Sequence, residues 1–219
     1  MIIQYYGLSC FKVTTKPEGR GGADVTIFFA PFDKSTGLRP PQGAADMVFI
    51  PHDSPAFNNA GSIKNDPKVF DMPGEYAISG VSAIGTTAVA DQDNGAQRGN
   101  TTIFSVQTEG LTLCHLGALG TDLDAEQFDH IGDVDILFVP VGDHNGITAK
   151  LAEKICRSLQ PRIIIPMHYQ IKGAKEGLSG RKDFCAEIGS CPKEQLQKLT
   201  LKKKDLEEKT MEVILLDTV

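Results

Sequence analysis

At 219 residues, the chain is long enough to bury a substantial core while staying within the size of one domain. Its 41% hydrophobic and 23% charged residues exclude a disordered or fibrous chain, and no apolar run approaches the roughly 20 residues that span a bilayer. The formal charge of −6 argues against general nucleic-acid binding, which needs a basic surface to displace counterions.

The one basic cluster, Lys202-Lys203-Lys204, is offset at once by Asp205, Glu207 and Glu208. The start, Met1 to Tyr6, has neither the basic region nor the cleavage site of a signal peptide, so a cytoplasmic location is expected. The five cysteines are odd in number and form no CxxC pair. Free thiols in a reducing compartment are expected, and the spacing of Cys185 and Cys191 does not by itself pair them.

In chain order, Ile2 to Tyr6, Cys10 to Thr15 and Val25 to Phe29 are short, β-branched or aromatic segments. Glycine-bearing turns such as Glu18-Gly19-Arg20-Gly21-Gly22 separate them, as between strands. Met47 to Ile50 is an apolar run ending at Pro51, which predicts a buried strand feeding a loop. Further strands are predicted over Ala77 to Ile84, Thr102 to Thr108 and Leu111 to Cys114, the last two joined as a hairpin by Glu109-Gly110. A short helix follows over Asp124 to Ile131 with Asp122 as its cap. Thr148 to Leu159 is a second, with Leu151, Ile155 and Leu159 on one face and Pro161 to stop it. It lies between the apolar runs Asp135 to Val139 and Arg162 to Ile165, which predicts a β-α-β unit with buried parallel strands. A helix near Arg181 to Ile188 and a strand at Glu212 to Leu216 end the chain. With no repeat or linker, residues 1–219 read as a single domain of two facing sheets with helices outside.

Three of the five histidines directly follow apolar strands: His52 after Val48 to Pro51, His115 after Leu111 to Cys114, and His168 after Ile163 to Met167. Strand ends of layered α/β folds converge on one edge, where ligand sites gather. These residues either meet there as metal ligands or are three separately hydrogen-bonded strand-end histidines.

Eight segments occur in order: Tyr6 to Phe11, Ala30-Pro31-Phe32, His52 to Asn59, Pro73 to Tyr76, Arg98 to Phe104, His115 to Gly120, Pro140-Val141-Gly142 and Pro166 to Tyr169. Together they resemble the landmarks of the metallo-β-lactamase superfamily. The nearest branch in pattern contains ascorbate-6-phosphate lactonase-like and related metal-dependent hydrolases. The resemblance implies an α/β fold, a four-layer αββα sandwich, and a two-zinc hydrolytic site.

The ligand pattern departs from the family. Where the branch reads H-D-H-P-D-H-N-N, this chain reads His52-Asp53-Ser54-Pro55-Ala56-Phe57-Asn58-Asn59. His52, His115 and His168 match family ligands, but Ala118 replaces the bridging Asp. Leu8, Ala30 and Ala90 stand where the family usually has further polar site residues. Catalytic zinc takes about three protein ligands plus water, and neither zinc position keeps three.

The resulting expectation is a scaffold that binds a ligand or partner without zinc-hydrolase chemistry. No cofactor is expected, with zinc admitted only if Asp143 or His144 completes a site, and a polar loop before Thr148 is the plainer reading of those two. Asp53, Asp91 and Asp93 are more distant candidates. The alternative is a hydrolase of lactones or phosphoesters with a non-standard mononuclear centre. A metal-free Ser54/His pair is a third reading, without an orienting acid or oxyanion hole to support it. Partners are not indicated, no nucleic acid or membrane is expected, and homo-oligomers are left open.

Overall fold

Alternating apolar residues in β1 (Ile2–Gly7) bury Ile3, Tyr5 and Gly7 on one face, the period-two pattern of a half-covered strand. The computed structural model describes residues 1–17, 21 and 23–219. Glu18, Gly19, Arg20 and Gly22 of the first expected turn lie outside the described residues.

The chain continues through β2 (Cys10–Thr15), β3 (Val25–Phe29), β4 (Gly43–Ala44), β5 (Met47–Phe49), β6 (Ile63–Lys64) and β7 (Lys68–Phe70). Then come β8 (Gly74–Ile78), β9 (Val81–Val89), β10 (Asn100–Thr108) and β11 (Leu111–His115). The last part alternates α1 (Ala125–Ile131), β12 (Ile136–Pro140), α2 (Ala149–Leu159), β13 (Ile163–Met167), α3 (Lys182–Ile188), β14 (Leu199–Thr200) and β15 (Glu212–Val213). One sheet has the order β14-β1-β2-β3-β5-β7 and the other β15-β13-β12-β11-β10-β9-β8, beside a small β4-β6 pair.

The sheets face each other across one aromatic-rich core, where Phe11 and Phe138 approach with ring centroids 4.3 Å apart and Phe49 and Phe104 at 4.9 Å. Such pairs add about 0.5–1.5 kcal/mol to simple burial. Helix α1 packs on β9 and β10, α2 on β12, and α3 on α2. The mixed α/β layering is therefore the expected one. On the far side of the first sheet the cover consists of a 3-10 turn (Lys34–Thr36) and irregular segments carrying Leu38, Ala174 and Leu178. No helix among the described residues is long and apolar enough to cross a membrane.

The predicted β-α-β unit forms as parallel β12 and β13 around α2, every residue of both strands buried. Parallel pairing of β11, β12 and β13 brings their C-terminal ends, and hence His115, the loop after Pro140 and His168, to one edge. Some boundaries differ from expectation. Ala77 to Ile84 is two strands, because Ser79, at φ 55°, and Gly80, at φ 75°, make a tight turn in the middle. The cap of α1 is Asp124, whose carboxylate accepts from the Gln127 N–H in a reciprocal capping box, and not Asp122. Cys185 and Cys191 are disulfide-bonded, which corrects the expectation for those two thiols: the end of α3 brings their Cα atoms within 5.3 Å. Cys10, Cys114 and Cys156 are free and buried.

Candidate active site

His115 is fully buried and stacks on Phe29 at 5.3 Å with the planes 4° apart. Its Nε2–H donates to the Ser9 carbonyl at 2.9 Å, and its Nδ1 accepts the Gly117 N–H at 3.1 Å. Both ring nitrogens are therefore committed and the ring is held neutral, burial lowering its pKa from 6.5 to about 4. This residue belongs to the core and offers no lone pair to a metal, contrary to its place in the expected ligand set.

His52 and His168 do share a cleft. His52 donates Nδ1–H to the Asn100 carbonyl at 2.9 Å, which leaves Nε2 as its free atom. His168 Nδ1 lies 3.1 Å from the Ser9 hydroxyl, and its Nε2 lies 3.9 Å from Asp143 Oδ2. The Phe57 ring sits against both, with centroids 5.7 Å from His52 and 5.0 Å from His168. Among the described residues, no three His, Cys, Asp or Glu side chains come together as a metal-holding group.

The positions that depart from the family pattern have a common fate. Leu8, Ala30, Ala56, Phe57, Ala90 and Ala118 are all buried in one hydrophobic cluster with Cys10, Phe28, Phe32 and Val48. Hydrocarbon fills the place where the family pattern sets carboxylates and imidazoles. With His115 locked as well, the residues present do not fit a two-metal centre. Leu8 at φ 52°, Ala30 at φ 48° and His168 at φ 52° all adopt left-handed conformations, which cost side-chain-bearing residues about 1–3 kcal/mol each.

Beside this apolar plug lies a polar group. Asp143, the first expected substitute ligand, accepts from Arg98 Nη1 at 2.6 Å through Oδ2 and from the Asn145 N–H at 2.9 Å through Oδ1. Burial raises its pKa, but the Arg98 hydrogen bond, His168 and the Asn145 N–H outweigh that and hold it below the ordinary carboxylate value. His144 points elsewhere, its ring 3.4 Å from the Ser179 hydroxyl on the surface. The Ser54 backbone N–H donates to the His52 carbonyl at 3.0 Å, its hydroxyl has no hydrogen bond to a histidine ring among the described residues, and Asp53 accepts from Asn58 Nδ2 on the surface.

Arg98 and Glu176, which the sequence reading did not single out as site residues, complete the cleft. The cleft has a volume of about 540 Å³ and is lined by His52, Phe57, Arg98, His168 and Glu176, among others. Burial, then the nearby Asp143, raise the Glu176 carboxyl above its ordinary value. Arg98 is placed by Asp91, a buried carboxylate that accepts the backbone N–H groups of Asp93, Gly95, Gln97 and Arg98 itself. Burial raises the Asp91 pKa, and those four donors lower it further than burial raises it. With its oxygens so occupied, Asp91 is a loop organiser and not a spare ligand. Gly120 is needed for the same arrangement, because a Cβ there would overlap the Asp91 backbone.

A family model described as a β-lactamase superfamily domain matches residues 2–168. The chain belongs to the metallo-β-lactamase superfamily. A Thermotoga maritima structure assigned to the Zn-dependent hydrolases of that superfamily is 31% identical, with a TM-score of 0.78 over 100% of this chain and 99% of its own. A metal-dependent hydrolase of Staphylothermus marinus is 26% identical over 196 residues, 77% of this chain and 83% of that protein. One of Pyrococcus abyssi is 32% identical over 98 residues, 44% of either chain. Members of the superfamily similar to this chain are thus named as metal-dependent hydrolases. This overturns the expectation of a binding scaffold without hydrolase chemistry, which rested on counting lost ligands alone. The count missed the Asp143–Arg98 ion pair that stands beside His168.

Proposed function

We propose that the chain is a hydrolase of lactone or phosphoester bonds, acting as one domain over residues 1–219 with a non-standard centre between His52, Arg98, Asp143 and His168. The observation that carries this reading is the Asp143–Arg98 ion pair, whose carboxylate lies 3.9 Å from His168 and whose arginine lines the same cleft as His168. The strand-end histidine of the fold survives there, and a carboxylate absent from the family pattern has come to stand beside it. The set supplies a neutral imidazole for proton transfer and a fixed guanidinium for developing negative charge, and the Glu176 carboxyl, raised by burial, lines the same cleft.

The names of the relatives support a metal cofactor. Of the two expected substitute donors, Asp143 is the one beside His168, but that pair is two donors where a catalytic zinc takes about three, so the residues described do not complete a zinc site. No step of the chemistry above depends on it. A cytoplasmic location goes with this reading.

The test is hydrolysis of a simple lactone and of bis(p-nitrophenyl) phosphate by metal-analysed protein, before and after chelation. Turnover of one class is expected, falling about 100-fold in His168→Ala, the scale of a lost proton-transfer group. Absence of turnover of both classes, with and without added zinc, sinks the reading.

A further inference from the structure

His52 belongs to the walls of two clefts. One is the cleft it shares with Arg98, His168 and Glu176. The other has a volume of about 640 Å³, and Ile50, Pro51, Met72, Pro73 and Thr87 are among its lining residues. His52 and Asp53 line both, so the two clefts meet at this histidine. Its ring is fixed there by the Asn100 carbonyl, itself part of the second cleft's wall.

The second cleft has the lining of a site for an apolar group. Met72 is 64% exposed beside Ile50, Pro51 and Pro73, and an unbranched thioether side chain adapts to whatever shape it meets. Several polar groups of the wall are spent on one another. Asn58 Nδ2 donates to Asp53 at 2.7 Å, the Thr101 hydroxyl donates to the Pro51 carbonyl at 3.0 Å, and the Asn100 carbonyl accepts from His52. No Lys or Arg among the described residues lines this cleft, whereas Asp53 and Asp71 do. An anionic group would meet two carboxylates there and no counter-charge.

We infer that the second cleft is the subsite for one arm of the substrate, an apolar group without negative charge, with the bond to be broken beside His52 and the other arm in the first cleft. This deepens the hydrolase reading and rests on it for the word substrate. Met72 and its neighbours hold the arm by burying it, and the exposed Asp71 turns anionic arms away.

Benzyltrimethylammonium and benzoate, which share an aromatic ring and differ in charge, test the subsite without turnover. Each is titrated into wild type and Asp71→Lys carrying 13C-methyl methionine, with the Met72 resonance assigned by its loss in Met72→Leu. Asp71 is exposed, so its replacement leaves the core alone. Wild type should bind the cation about 10-fold more tightly than benzoate, with the Met72 methyl signal shifting. Asp71→Lys should remove most of that preference, because an attraction becomes a repulsion. Benzoate bound as tightly as the cation by wild type, a preference unchanged in Asp71→Lys, or a Met72 signal that stays still with both probes overturns the inference.

In parallel, two substrates of the class turned over, one with a trimethylammoniophenyl arm and one with a carboxyphenyl arm, should respond oppositely to Asp71→Lys. The KM of the first should rise and that of the second fall, with kcat steady. An equal KM change for both overturns the subsite and leaves the hydrolase reading intact. Probe binding as expected, with no substrate hydrolysed by wild type, upholds the site and its preference and sinks the hydrolase reading instead.

Discussion

Two regions meet at the same strand edge and have opposite chemistry. Leu8, Ala30, Ala56, Phe57, Ala90 and Ala118 form a dry cluster, while Arg98, Asp143 and His168 form a charged group alongside it. The first fills the place of most of the family's ligands, and the second joins one matched ligand, His168, to Arg98 and Asp143, which have no ligand role in the family pattern. The left-handed backbone at Leu8, Ala30 and His168 runs through both. In this chain the fold holds its strained strand ends with apolar side chains at Leu8 and Ala30 and with a polar one at His168.

The sharpest way to break this contrast is to put a charge back into the dry region. Ala118 is 2% exposed and its neighbours in the cluster are apolar. Ala118→Asp should lower stability by about 3–5 kcal/mol, the scale of an uncompensated buried charge, measured as the shift in urea unfolding. If stability holds, the cluster is wetter than the packing shows. Asp143→Asn, by contrast, alters a carboxylate that already has partners and should chiefly lower kcat/KM.

Protonation tests the boundary between the regions. Burial lowers the pKa of His115 from 6.5 to about 4, and that of His168 likewise, with Arg98 and His52 adding to the drop and Asp143 opposing it. Between pH 6.5 and 4 the unfolded chain therefore binds more protons than the folded one. The stabilising effect of the neutral rings is complete above pH 6.5 and is lost as pH falls toward 4, where it levels off. For His115 this is on the order of 3 kcal/mol. Unfolding free energies at pH 7, 5.5 and 4 should show the decline, and His115→Gln should flatten part of it. A wild-type profile flat across that window shows His115 to be solvated, and the locked-ring description fails.

Much of the frame was legible because it rests on periodicity and on backbone requirements that leave marks in sequence. The apolar runs at Ile136–Pro140 and Ile163–Met167 announced buried parallel strands, and Gly120 stands where only a glycine clears the Asp91 backbone. The site was half legible. His52 and His168 were placed by their strand ends, yet nothing local shows that Phe29 and Ser9 would lock His115, since those contacts join residues 86 and 106 positions away. Arg98 looked like part of a scaffold landmark, and only the long-range pairing with Asp143, 45 residues on, reveals it as a site residue. The split of Ala77 to Ile84 was hidden because Ser79 is an unremarkable residue in a left-handed turn.

Asp143→Asn is the next effect in size. The amide keeps an oxygen for Arg98 but removes the charge, so the guanidinium loses its counter-ion and the imidazole of His168 its acidic neighbour. A fall of about 100-fold in kcat/KM is expected, with unfolding shifted far less than in Ala118→Asp. If Asp143→Asn matches Ala118→Asp in destabilisation while the folded fraction retains full activity, Asp143 is scaffold and the two regions do not divide the work as described.

The smallest effect concerns the thiols, which probe the dry region without altering it. Only the thiolate reacts readily with a disulfide reagent. Burial raises Cys10 well above its ordinary pKa, and takes Cys114 and Cys156 to about 12. All three should stay silent toward Ellman's reagent in the native protein, and Cys10, a member of the apolar cluster, reports on that cluster directly. Mild reduction opens only the half-buried Cys185–Cys191 bridge and should release two reactive thiols. A third that reacts at the same rate, traced to Cys10 by its loss in Cys10→Ala, places water inside the cluster and removes the distinction between the plug and the cleft.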